Sequence, residues 1–280
     1  MIPQRNISLL SNRLSRAGGR RIPEAVLERD YCLAWFLIGL SRSSLRNILA
    51  FKGGTALKRC YFGDYRFSED LDFTLAKASS LEKIFAELEN ISADVQQASG
   101  VIIHYSREDR ISHQNSYTFY LAYEGPLPGV AVKEVKVDIT IDERIVLPLK
   151  ERPVLKGYEE YADLPDDAII LVYSLEEILA EKVVALVDRA RNEPRDLYDV
   201  WYLTERENIK LSMLVPEITA KLKFRGKGLK GLGQEFGRKE ARLRKLWQIR
   251  LSNQMVDLPH CEEVYRAVQR SFRDARLMGV

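Results

Sequence analysis

The chain has 280 residues, 46% of them hydrophobic and 30% charged, with a formal net charge of +3. That length holds one large or two ordinary domains with a real core, and the balance excludes wholesale disorder and fibrous or low-complexity architecture. The three cysteines, Cys32, Cys60 and Cys261, form no C-x-x-C pair, so neither a disulfide framework nor a cysteine zinc site is expected, and a reducing cytoplasm fits.

The first 21 residues carry five arginines and no acid, as transit peptides do. Ile7, Leu10 and Leu14 fall on one helix face, however, and predict an N-terminal helical arm over 1–22 that packs on the body. Pro23 suits the first turn of a helix whose apolar positions Val26, Leu27, Leu33, Phe36, Leu37 and Leu40 recur at helical spacing. Its apolar run, 31–40, is about half of what spans a bilayer. A short buried strand is expected at 48–51, then a Gly53-Gly54 turn, then a helix over 55–62. From 66 to 75 the pattern has period two, with Phe67, Leu71, Phe73 and Leu75 on one face and Ser68, Asp70, Asp72 and Thr74 on the other. That alternation predicts a strand.

An amphipathic helix is expected over 81–97, followed by strands at about 101–106, 116–123 and 132–142, the last two joined by a Gly-Pro turn at 125–129. In the last strand Val135, Val137, Ile139 and Ile141 alternate with Lys136, Asp138, Thr140 and Asp142. After a loop-rich passage at 148–165 the character changes to helices, at 175–189, at 195–204 and on to the end. The organisation predicted is α+β: the arm, an α/β domain over 23–150 with a mixed sheet, and a helical domain over 151–280. Residues 221–250 hold eleven Lys or Arg and two acids. Such a concentration fits a phosphate backbone as well as an ordinary solvated helix face.

Chemistry is carried by three features in combination. Gly53-Gly54 ends a strand and opens a helix, so the backbone approaches a ligand closely and free N–H groups face phosphate. Asp70 and Asp72 lie two apart on one strand face, an arrangement that favours a hard divalent cation between them. Asp138 lies on the polar face of a later strand and would complete a carboxylate cluster for two metals about 3.5–4 Å apart. Each feature alone is more often a plain turn or a solvated strand. The histidines, His104, His113 and His260, share no ligand spacing, and no G-x-S-x-G occurs.

The order Gly-Gly, Asp-x-Asp, Asp resembles the nucleotidyltransferase superfamily with the polymerase-β-like fold. The wording is closer still to the AbiEii/AbiGii toxin family, which includes the MenT-type toxins. It lies in Phe51-Lys52-Gly53-Gly54-Thr55-Ala56-Leu57, Arg66-Phe67-Ser68-Glu69-Asp70-Leu71-Asp72-Phe73, Lys136-Val137-Asp138-Ile139-Thr140, 175–182 and 194–201. The resemblance covers about 24–270 and implies a metal-dependent nucleotidyltransferase toxin of a toxin–antitoxin or phage-defence system. It would move a nucleoside monophosphate from an NTP to an acceptor hydroxyl, that of the tRNA 3′ end in MenT-type relatives.

The roles so implied are as follows. Asp70, Asp72 and Asp138 would hold two Mg²⁺ ions, and Gly53, Gly54, Thr55 and Lys182 would lie near the triphosphate. Ser68 would touch phosphate or a metal-bound water, and Asp196 would orient Lys182 or Arg195. Arg195 and Asp199, four apart, could also form an intrahelical pair. A cognate antitoxin is implied, and no membrane. Phe224 and Trp247, interleaved with the basic residues, agree with an RNA acceptor. Two other readings use the same residues: a phosphotransferase or small-molecule nucleotidyltransferase, and a non-catalytic nucleotide- or RNA-binding regulator.

Overall fold

The computed structural model describes residues 1–16, 20–109, 115–129 and 132–278. The fold is α+β and divides into two compact units. The first comprises Met1–Glu143, Leu149–Tyr173 and Asn253–Val256; the second comprises Arg144–Pro148, Ser174–Ser252 and Asp257–Val280.

The first unit is built on a seven-stranded mixed sheet in the order β3-β4-β5-β2-β1-β7-β6. Its strands are β1 (Leu49–Lys52), β2 (Leu71–Leu75), β3 (Ile102–Glu108), β4 (Ser116–Glu124), β5 (Lys133–Thr140), β6 (Lys150–Pro153) and β7 (Ile169–Val172). The β2–β5 and β1–β7 pairings are parallel and the others antiparallel. Where a change of character is expected after 150, β6 and β7 still extend this sheet, and the unit continues to Tyr173.

Alternation gives the sheet two unlike faces. Leu49, Phe51, Leu71, Phe73, Val137, Ile139, Phe119 and Leu121 follow one another across the apolar face by register. The rings of Phe51 and Phe73 meet there at 5.0 Å. Helix α4 (Leu81–Ser99) covers part of this face, with Phe85 edge-on to Phe119 at 5.4 Å. Ser80 caps α4 by accepting from the Lys83 N–H, and the left-handed Gly100 ends it.

Helix α2 (Glu24–Arg42) is buried almost throughout from Leu27 to Ser41. It crosses α4 so closely that a Cβ on Gly39 would stand 2.7 Å from Val95 Cγ2. The arm is α1 (Gln4–Arg16), whose Ile7 and Leu10 are buried against the body. Helix α3 (Gly53–Ala56) runs on into a π-turn at Leu57–Tyr61.

The second unit is helical, with α5 (Leu175–Leu186), α6 (Pro194–Trp201), α7 (Val215–Phe224), α8 (Leu232–Arg238), α9 (Glu240–Leu251) and α10 (Cys261–Asp274). Leu179, Val183, Leu197, Val200, Ile218, Leu222, Leu243, Val264 and Val268 form its core. Phe236 stacks on Tyr265 at 4.7 Å and meets Phe272 at 4.9 Å. Ser174 caps α5. Its box partner Glu177 turns away and accepts from the Val146 and Leu147 N–H groups, which pins the 144–148 segment to this unit.

Candidate active site

The polar face of the sheet carries two of the predicted residues of the first unit, Asp72 and Asp138. Asp72 and Asp138 are Cα partners across the parallel β2–β5 pairing. Lys52 is the partner of Asp72 on β1, and Thr118 that of Asp138 on β4. One row across four strands therefore reads Lys52, Asp72, Asp138, Thr118, with all four side chains on one face.

The Asp138 carboxylate accepts from the Thr118 hydroxyl at 3.5 Å and lies 3.8 Å from the Lys136 ammonium. The Lys52 ammonium donates to the Thr140 hydroxyl at 3.1 Å and lies over the Tyr173 ring. The Tyr173 hydroxyl in turn bonds to Thr74 at 2.7 Å. Lys52 was visible in the sequence only as the residue before Gly53; its place on the carboxylate face depends on the β1–β2 register.

Gly53 adopts φ +77, and a Cβ there would stand 2.6 Å from Asp72 Oδ2. Only glycine gives both that conformation and that approach without strain. Gly54 is buried against the Arg66 guanidinium. The Thr55 hydroxyl donates to the Asp70 backbone carbonyl at 2.5 Å, tying the glycine turn to the acidic motif.

The strand expected from residue 66 begins only at Leu71. Ser68 and Asp70 stand on the preceding loop, Ser68 buried and Asp70 partly exposed. The physical reason lies in where the backbone bonds go: the Phe67 N–H donates to the Gln254 carbonyl at 2.6 Å instead of to a neighbouring strand. The structure thus brings together Gly53, Asp72 and Asp138 directly, with Thr55 and Asp70 joined beside them.

Among the described residues, no three or more His, Cys, Asp or Glu side chains are grouped to hold a metal. The expected three-carboxylate cluster is therefore not assembled among the described residues: Asp72 and Asp138 are register partners, and Asp70 lies one residue ahead of β2. In kind the donors fit a hard divalent cation, which takes carboxylate oxygens. His104 and His260 are exposed, and His113 lies outside the described residues.

Lys182, Asp196 and Asp199 meet in the second unit. The buried Lys182 ammonium is 2.7 Å from Asp196 Oδ1 and 2.8 Å from Asp199 Oδ2. The Arg191 guanidinium also holds Asp196, at 2.5 Å. Burial would raise the Asp196 carboxyl, but Lys182 and Arg191 outweigh it and keep the group well below the ordinary carboxylate range. Asp196 thus holds Lys182, one of the two options that the sequence left open. The bond from Lys182 to Asp199 was not foreseen, although Asp199 lies three residues beyond Asp196 on α6, where one helix face is shared.

The basic segment divides by burial. Lys221 is fully buried and bonds to Glu177 at 2.7 Å and to the Arg144 carbonyl at 3.0 Å. Lys239 is buried and donates to the Asp188 and Arg191 carbonyls. Trp247 is buried with its indole N–H on the Pro259 carbonyl, so of the two expected aromatics only Phe224 is exposed. Lys223, Arg225, Lys227, Lys230, Arg242 and Lys245 are exposed.

Residues 35–276 match the family model described as nucleotidyl transferase AbiEii toxin, type IV TA system. Among solved structures, the MenT4 nucleotidyltransferase toxin of Mycobacterium tuberculosis has a similar fold, with a TM-score of 0.63 at 17% identity, over 98% of this chain and 90% of that one. No curated protein matches the sequence.

Proposed function

The chain belongs to the AbiEii nucleotidyl transferase toxin family of type IV toxin–antitoxin systems, and from that premise we propose that it transfers a nucleoside monophosphate from an NTP to the 3′ hydroxyl of an RNA, tRNA first among candidates. The observation that carries this reading is the register partnership of Asp72 with Asp138, with Gly53 set against Asp72. Two carboxylates and a bare backbone turn on one partly exposed face suit a reaction in which charged oxygens gather around phosphorus.

In the proposed step the acceptor oxygen bonds to the α-phosphorus as the bond to the β-phosphate oxygen breaks, and pyrophosphate leaves. Asp138 faces the acceptor hydroxyl and takes part in moving its proton. The N–H groups of the Gly53-Gly54-Thr55 turn receive phosphate oxygens, and Ser68 is assigned to the same phosphates. Asp70, Asp72 and Asp138 would hold Mg²⁺, which would supply charge neutralisation at the attacking and leaving oxygens. In the second unit Lys182 is the proposed phosphate contact, held by Asp196 and Asp199. An ammonium has three N–H donors, and these two carboxylates orient it without using all three.

Family membership implies an antitoxin partner and an NTP substrate. Among the described residues no helix is long and apolar enough to cross a membrane. We place the reaction in the cytoplasm, where the RNA acceptor is made, and the physiological role in growth arrest or phage defence.

The test is incubation with Mg²⁺, total RNA and each NTP labelled at the α- or the γ-phosphate. Transfer of the α label to RNA supports the proposal. Transfer of the γ label would establish a phosphotransferase instead, and NTP binding without pyrophosphate release would leave a non-catalytic regulator.

A further inference from the structure

The loop that precedes β2 is held from a distant part of the chain. Arg66 is 1% exposed, and its Nη1 donates at 3.3 Å both to the Phe67 carbonyl and to Gln254 Oε1. Gln254 is itself buried, and its backbone carbonyl accepts from the Phe67 N–H at 2.6 Å. The main chain and side chain of this one glutamine thus grip two successive residues of the loop.

The other side of the guanidinium lies against the glycine turn, where a Cβ on Gly54 would stand 3.1 Å from Arg66 Cζ. The turn and the loop meet again where the Thr55 hydroxyl bonds to the Asp70 carbonyl. Gln254, Arg66, Gly54, Thr55 and Asp70 form a continuous train of contacts inside the first unit. A buried guanidinium is planar and orients according to its acceptors. The Gln254 amide oxygen is therefore one of the acceptors that set how the guanidinium plane backs the turn.

We infer that Gln254 is a positioning residue for NTP binding, acting through Arg66 on the Gly53-Gly54 turn and on Asp70. The inference rests on the nucleotidyl-transfer reading for its ligand.

The experiment compares wild-type protein, Gln254→Ala and Gln254→Glu, with Mg·NTP affinity measured by calorimetric titration and KM and kcat by α-label transfer, all well below the thermal midpoint. Gln254→Ala keeps the backbone bond to Phe67 but removes the side-chain acceptor. It is expected to raise the NTP Kd and KM about tenfold, the scale of one lost hydrogen bond to a charged group, with kcat within about threefold. Gln254→Glu returns an oxygen acceptor to Arg66 and is expected to bring both constants to within about threefold of wild type.

A lowered thermal midpoint with unchanged Kd and KM would reduce Gln254 to a structural role and overturn the inference, as would equal loss in both variants. If Gln254→Ala does not fold, Gln254→Asn withdraws the same amide by one methylene and carries the same expectation and the same refutation. If wild-type protein transfers no label, the nucleotidyl reading fails, and the titration decides Gln254 separately. Wild-type protein that binds no NTP in that titration would overturn the positioning role itself.

Discussion

Asp72 and Asp138, 66 positions apart in the chain, stand side by side as register partners on parallel strands. Like charges directly opposite one another destabilise a sheet. Lys136, 3.8 Å from Asp138, and Lys52, the other register partner of Asp72, lie on the same face and offset part of that repulsion. The nucleotidyl-transfer proposal gives this pair a role, holding a cation beside phosphate, and a purely structural role is the alternative.

Replacing either acid by asparagine separates these explanations. Asp72→Asn and Asp138→Asn are each expected to lower α-label transfer by at least about a hundredfold. Removing one of two neighbouring like charges leaves the thermal midpoint unchanged or slightly raised. Transfer assays beside thermal melts check both parts, and full transfer in either variant would take the pair out of the mechanism.

Gly53→Ala tests the turn. A residue with a Cβ at φ +77 costs about 1–2 kcal/mol of backbone strain. The added methyl would also meet Asp72 Oδ2 at 2.6 Å, so the carboxylate must move. Activity should therefore fall much further than stability, by about a hundredfold or more. A variant with normal KM and kcat and only a lowered melting temperature would show the turn to be structural.

Much of this arrangement was legible because alternation is local. Val135, Val137 and Ile139 against Lys136, Asp138 and Thr140 specify a two-faced strand by themselves, and β5 follows that pattern. Residues 67–70 alternate equally well yet form no strand, because their backbone partner is Gln254, which no local pattern reveals. The strand β7 was hidden for the opposite reason: Ile169-Ile170-Leu171-Val172 is a short uninterrupted apolar run, without the alternation that identifies a half-buried strand. Its partner β6 is polar and ends in proline, an edge-strand composition that reads as loop. Lys182 and Asp196 as one option for its partner are both named from the sequence and its family resemblance, but the depth of Lys182 and its bond to Asp199 are not legible there.

The Lys182 cluster predicts acid sensitivity. The carboxyl of Asp196 titrates below its unfolded value of 3.8 because Lys182 and Arg191 outweigh the effect of burial. A depressed carboxylate contributes its stability fully above the unfolded value and loses it as pH falls from there toward the folded value. Urea melts should therefore show a stability loss that steepens below about pH 4. Asp196→Asn should flatten that acid limb while lowering stability near pH 7 by about 3–5 kcal/mol, since it leaves Lys182 and Arg191 short of a buried partner. An unchanged acid limb in the variant would assign the acid sensitivity to other carboxylates.

The basic segment makes a different prediction for its buried and its exposed members. Lys223, Lys230 and Lys245 are exposed. If they meet RNA phosphates, changing each to glutamine should weaken RNA binding at low salt and reduce the slope of log affinity against log salt by about 0.7–0.9 for every phosphate no longer neutralised. Lys221 lies in the same stretch of charge but is fully buried between Glu177 and the Arg144 carbonyl. Lys221→Met leaves the buried Glu177 carboxylate with its two backbone N–H donors but without its counter-charge, and should cost about 3 kcal/mol of stability, with the salt slope of the folded protein unchanged. A salt slope that ignores all three exposed lysines would mean that the positive charge of 221–250 serves solvation, and that the RNA is held elsewhere or not at all.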